Sequence, residues 1–190
     1  MIWESDYHTE TYEAEVPVKE YVETCVNVEE FLECCKACPN YNTSWSCPPF
    51  DFSPEDYWNR YSVLYLRARK IIFSPKLREM SRTGEELNQL IRTVTGREKK
   101  LLSEELFCLE RNCPGSVSLS AGHCAECGPG MCTRKEGRPC RDLSRMRYSI
   151  EALGGNVGLT ITKYMKQELL WVEEGKLPEY FILVCGLLKP

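Results

Sequence analysis

The stretch TGEELNQLIRTVTGREKKLLSEELFCLE, Thr83 to Glu110, is the longest periodic segment of the chain. Leu87, Leu90, Ile91, Val94, Leu101, Leu102, Leu106 and Leu109 recur at steps of three and four, which gathers them into one stripe if the segment is helical. Thr83 with Glu86 forms a capping box, so a helix is predicted over 84–110, with Gly96 its weak point. On its N-terminal side, YSVLYLRARKIIF (61–73) is aromatic and β-branched and reads as a strand, or as a helix followed by a strand. On its C-terminal side, SVSLSAG (116–122) reads as a short strand. QELLWVEEGKLPEYFILVCGLL (167–188) reads as a hairpin, two apolar runs around a turn at 173–178 that contains Gly175. Two shorter helices are marked by their caps: NVEEFLECC with Asn27 and Glu30, and SPEDYW with Ser53 and Pro54. The fold class is α+β. A single domain spans 1–190, with a long helix, a small mostly antiparallel sheet including a C-terminal hairpin, and cysteine-rich metal-binding loops.

Twelve cysteines in 190 residues are far above ordinary usage. The N-terminal residues 1–20 form an acidic extension without the basic and apolar regions of a signal peptide, and no run is long and apolar enough for a membrane span. A cytoplasmic location follows, where clustered thiols bind metal more often than they form bridges. Between Met1 and Glu33 ten acids face a single lysine, and between Thr133 and Arg147 six bases face two acids. The net charge of −4 argues against a nucleic-acid partner, which wants a basic face. The basic run lies within and after a cysteine cluster, where it would stabilise an anionic metal–thiolate site.

Two constellations stand out. Cys124-x2-Cys127-x4-Cys132-x7-Cys140 is one, with Gly128, Gly130 and Gly137 between the thiols to let the backbone wrap a bulky centre. Cys35-x2-Cys38-x8-Cys47 is the other, with Cys34 as an alternative member. Cys38, Cys47 and Cys113 each precede proline, as does the last cysteine of the bacterial ferredoxin motif. Zinc sites more often use two separated Cys-x2-Cys knuckles, so the spacing favours iron–sulfur, although neither pattern is matched in full. A Cys-x3-Cys-x2-Cys radical triplet, a P-loop, a dinucleotide fingerprint and a His-Glu-x-x-His motif are all missing from the sequence.

CKACPNYNTSWSCPPFDFSPEDYW, CTRKEGRPCR, MRYSIEALGGNVGLT and the closing LPEYFILVCGLL resemble the prokaryotic family catalogued as domain of unknown function 2284, described as predicted metal-binding proteins. The resemblance implies one metal-binding group of Cys35, Cys38 and Cys47 and another of Cys124, Cys127, Cys132 and Cys140. Asn42 departs from it, standing where glycine is expected, and the doubled Cys34-Cys35 leaves the first ligand's register open. The family implies no reaction.

A three-cysteine group leaves one metal position open unless Cys25, Cys34, Cys108 or Cys113 closes it. His123 is either a ligand, a hydrogen-bond donor to sulfur, or a plain loop residue. Tyr41 and Trp45 shield a cluster or cover the core. Glu151 caps or pairs with an arginine, and GGNVG (154–158) is a turn after a short SIEAL helix. Cys185, and Cys25 with it, reads as a small buried hydrophobe. The expected function is a cytosolic protein with two [4Fe–4S] clusters, transferring electrons alone or with a redox partner protein. The alternatives are a zinc-stabilised binding or regulatory module and an enzyme using an open-site cluster as Lewis acid.

Overall fold

A computed structural model describes residues 6–173 and 175–190, so residues 1–5 of the acidic extension and Glu174 of the C-terminal turn lie outside the described residues. Four antiparallel strands make one sheet: β1 (Tyr7–Pro17), β2 (Val63–Phe73), β3 (Val117–Leu119) and β4 (Tyr180–Lys189), in the order β1-β2-β4-β3. The helices are α1 (Val18–Cys25), α2 (Val28–Lys36), α3 (Pro54–Trp58), α4 (Pro75–Glu79), α5 (Gly84–Arg111) and α6 (Val157–Met165). The fold is α+β, as the sequence indicates.

The register explains why the 61–73 run is ambiguous in sequence. Leu64, Leu66 and Ala68 point to one face of β2 and, with Val184 and Leu188 of β4, meet Tyr21, Trp58 and Ile161 of α1, α3 and α6. Ile71 and Phe73 point to the other face and meet Leu87, Leu90 and Val94 of α5. A strand covered on both faces loses the apolar–polar alternation by which strands are recognised.

Helix α5 opens on the expected capping box and continues through Gly96. Its stripe differs at one turn: Leu101 is 44% exposed, and Glu98 is buried instead. Arg69 of β2 lies 3.3 Å from Glu98, and the Tyr7 hydroxyl donates to Glu98 at 2.7 Å, so a polar stripe separates two apolar contacts of helix on sheet. The acidic N-terminal run contains the edge strand β1. Its Glu13 pairs with Arg67 at 2.6 Å and its Glu15 with Lys189 at 2.5 Å.

The C-terminal hairpin is present as its turn and its second arm. Glu173 and Lys176 form an isolated antiparallel bridge, and β4 follows, but 167–172 is not a strand. β2 takes one edge of β4 along its length and β3 takes part of the other, while Leu169 packs onto the core as a side chain. No helix among the described residues is long and apolar enough to cross a membrane.

Candidate metal centre

Helix α2 starts where the Asn27 side chain accepts from the Glu30 amide at 3.2 Å, and it delivers Cys34 and Cys35 at its C-terminal end. The chain then tightens: Cys38 N–H donates to Cys35 O at 3.0 Å and Tyr41 N–H to Cys38 O at 3.0 Å, while Asn40 N–H points at Cys38 Sγ at 3.5 Å. Asn42 has φ +54°, which explains the glycine expected there. Asparagine tolerates the left-handed region better than most residues, and its amide is anchored to Pro48 O at 2.8 Å. Ser44, Ser46 and Cys47 follow, all buried.

The second loop folds onto the first. Cys124 N–H donates to Ser46 Oγ at 2.8 Å, and the same hydroxyl lies 3.9 Å from Cys47 Sγ. Trp45 N–H points at Cys132 Sγ at 3.4 Å, and its indole donates to Arg138 O at 3.0 Å. Arg134 reaches back to the carbonyls of Ser44 (2.9 Å), Cys47 and Pro49, with its guanidinium over the Trp45 ring. Gly128, Gly130 and Gly137 have φ between +64° and +85°, so the expected wrapping of this loop depends on glycine at each. The two cysteine constellations, some ninety residues apart in sequence, thus share one end of the molecule.

Three bases of the basic run have defined partners in the fold. Arg145 pairs with Glu104 and Glu126, Arg147 with Glu110, and Arg134 with carbonyls, so these bases staple the loop to α5 and to the first loop. His123 is a bridge, its Nδ1 lying 3.3 Å from the Asn40 side-chain nitrogen. Burial, together with Lys99, holds its imidazole below the ordinary value. Lys99 of α5 donates to His123 O and has its pKa pulled down by burial, close to Cys124, Glu151 and Cys47. Cys25 and Cys185 are core residues, 3% and 2% exposed, as expected. Cys108 is exposed beside Arg111 near the end of α5.

All twelve thiols are free. Burial pushes the Cys35 thiol up to about 11, with Cys47, Cys38 and Cys34 adding to the effect. Burial also raises Cys47 and Cys124. Within the first group the thiols oppose one another's ionisation, Cys47 and Cys38 each acting on Cys35. Among the described residues no three His, Cys, Asp or Glu side chains are grouped closely enough to hold an ion. A cleft of about 490 Å³ between α5 and the second loop, lined by Lys99, Phe107, Cys124, Arg145 and Arg147 among others, gives access to Cys124.

Sequence reasoning misses Ser46, Lys99 and the clamping role of Arg134, because each acts on a partner far away in the chain. Of the two roles read for Glu151, the arginine pairing is not found among the described residues; the base near it is Lys99. The one signal for Ser46 is its place in the WSCPP segment.

No curated protein and no solved structure matches the chain significantly. A family model described as "Predicted metal-binding protein (DUF2284)" matches residues 20–185, which take in both cysteine loops and all of the sheet except β1 and the end of β4. By that match the chain belongs to the DUF2284 family of predicted metal-binding proteins.

Proposed function

We propose that this chain is a cytosolic iron–sulfur protein carrying two [4Fe–4S] clusters, one on Cys35, Cys38 and Cys47 and one on Cys124, Cys127, Cys132 and Cys140. In this reading it moves electrons, alone or for a larger redox partner. The observation that carries the reading is the apposition of the two thiol sets through Trp45 and Ser46. Two redox centres that share one wall are suited to passing an electron between them, whereas a single structural ion needs only one set. When bound, such clusters supply one-electron chemistry at a potential set by charge, burial and hydrogen bonds to sulfur. The protein's own contribution is the N–H groups aimed at Cys38 and Cys132 and the glycine-permitted wrapping of the second loop.

Anaerobically prepared protein is expected to hold about eight irons with matching sulfide. About four would restrict the reading to one centre. About two zincs and no sulfide would replace it with a zinc-stabilised module, whose metal only ties the loops together.

A further inference from the structure

Strand β1 ends the sheet on one side, and its outer edge is open. Two hydrogen bonds fix the phase of its pairing with β2. Ser74 N–H donates to Asp6 O at 2.9 Å and Val18 N–H to Ser62 O at 2.9 Å, both in the register that sets Tyr7 against Phe73 and Pro17 against Val63. Along an antiparallel ladder, residues bonded to one neighbour alternate with residues whose N–H and C=O point away from it. His8, Glu10, Tyr12, Ala14 and Val16 therefore bond to β2, and Thr9, Thr11, Glu13 and Glu15 turn their backbone groups outward. These four residues are exposed, and their N–H and C=O groups have no partner among the described residues. Natural edges are commonly blunted by a bulge, by proline or by unpaired charge. Here the register runs unbroken over eleven residues, and proline stands only at the end, as Pro17. The charges are already paired: Glu13 with Arg67 at 2.6 Å, Glu15 with Lys189 at 2.5 Å, and Glu10 accepting from the Tyr12 hydroxyl at 2.6 Å.

We propose that this edge binds a second copy of the chain, β1 against β1, antiparallel about a two-fold axis through Tyr12. The axis follows from the outward residues themselves, because a two-fold contact has to map its own surface onto itself. About Tyr12, Thr9 of one copy falls opposite Glu15 of the other, and Thr11 opposite Glu13. Four outward N–H groups from each copy then meet four outward carbonyls of the other, eight bonds with none left over. An axis through Thr11 would set Glu15 against Tyr7, and one through Glu13 would set Thr9 against Pro17, so both leave part of the set unmatched. Side chains agree with the backbone. In the Tyr12 register no glutamate stands directly opposite another: Glu10 meets Ala14, and the two Tyr12 rings face each other as a cross-strand aromatic pair. The product is a continuous sheet of eight strands, four from each copy. It removes the open edge without using either cysteine loop.

Sedimentation equilibrium of the full-length chain reads the association, in reductant so that the thiols form no cross-links, over ~1 to ~100 μM. Wild type is expected to reach twice the 22.0 kDa of one chain at the upper end. Thr11→Pro removes an outward N–H and leaves the bonds of Glu10 and Tyr12 to β2 in place. That chain should fold, and its dimer should weaken at least ~10-fold. Thr11→Glu sets like charges opposite each other on both sides of the axis, and Thr11→Lys sets opposite ones. The first should raise the dissociation constant and the second lower it, each by about 2- to 30-fold. Wild-type chain that stays monomeric throughout would overturn the proposal. So would a dimer indifferent to Thr11→Glu and Thr11→Lys, which would have to use another surface. Those two variants decide the matter if the proline variant does not fold.

Discussion

Along β2, Leu64, Leu66, Ile71 and Phe73 are each 2% exposed or less, whereas from Cys124 to Cys140 only Thr133 is buried. The sheet and its helices are ordered by apolar burial, at roughly 1.5–3 kcal/mol per large side chain. The second cysteine loop has almost no such term, and the first buries little beyond Ser44, Ser46, Cys47 and Pro48. Polar staples hold them instead: Arg134 on three carbonyls, Ser46 between the two loops, and Arg145 and Arg147 on the acids of α5, Glu126 of the loop completing the Arg145 pair. One region is therefore stable by its own sequence, and the other waits on a clamp and, in our reading, on a metal.

Five substitutions test that division. The largest effect belongs to the body. Trp58 is fully buried and its indole donates to Leu153 O at 3.0 Å, so Trp58→Ala should cost about 3–5 kcal/mol in a denaturant titration. A loss below ~1 kcal/mol would mean that the sheet is not the stable half. Next comes a pair of serines. Cys140→Ser should lower iron from about eight atoms to about four and reduce the melting temperature of the loaded protein only. Cys185→Ser should leave metal content intact and cost about 1–3 kcal/mol, and the lower end is favoured because a hydroxyl can replace the thiol's donation to Arg67 O at 3.2 Å. Unchanged iron in the first variant, or iron loss in the second, would reverse the assignment of ligand and bystander.

Arg134→Ala sharpens the comparison inside the loops. Removing a charged donor from three carbonyls should cost about 1.5–3 kcal/mol, seen as faster amide exchange across 44–49 with β2 amides unaffected. Exchange rising equally in β2 would show that the loops and the sheet unfold as one unit. The smallest effect is at the sheet edge, where Glu13→Gln breaks an exposed pair with Arg67. The expected change is about 0.2–1 kcal/mol, and it should shrink further in high salt.

Local chemistry was the legible part of this molecule. Thr83 with Glu86, Asn27 with Glu30, and Ser53 before Asp56 all cap helices as their side chains suggest. Where tertiary pairing overrides local pattern, the reading weakens. β2 is buried on both faces, the acids of β1 are explained by Arg67 and Lys189 in other strands, and Glu98 is buried because Arg69 meets it. The candidate site divides the same way. Its thiols could be picked out by spacing and resemblance, but Ser46, Arg134 and Lys99 matter through contacts with residues 24 to 90 positions away.

The peptide unit between Ser44 and Trp45 has a consequence for electronics. Its carbonyl accepts from Arg134 at 2.9 Å while its N–H points at Cys132 Sγ at 3.4 Å, so one amide stands between a guanidinium and a sulfur. An amide whose oxygen is drawn upon by a cation becomes a more acidic donor at its nitrogen. The positive charge of Arg134 is thereby relayed through a resonance-coupled group to Cys132, and a side chain that touches no sulfur still withdraws electron density from one.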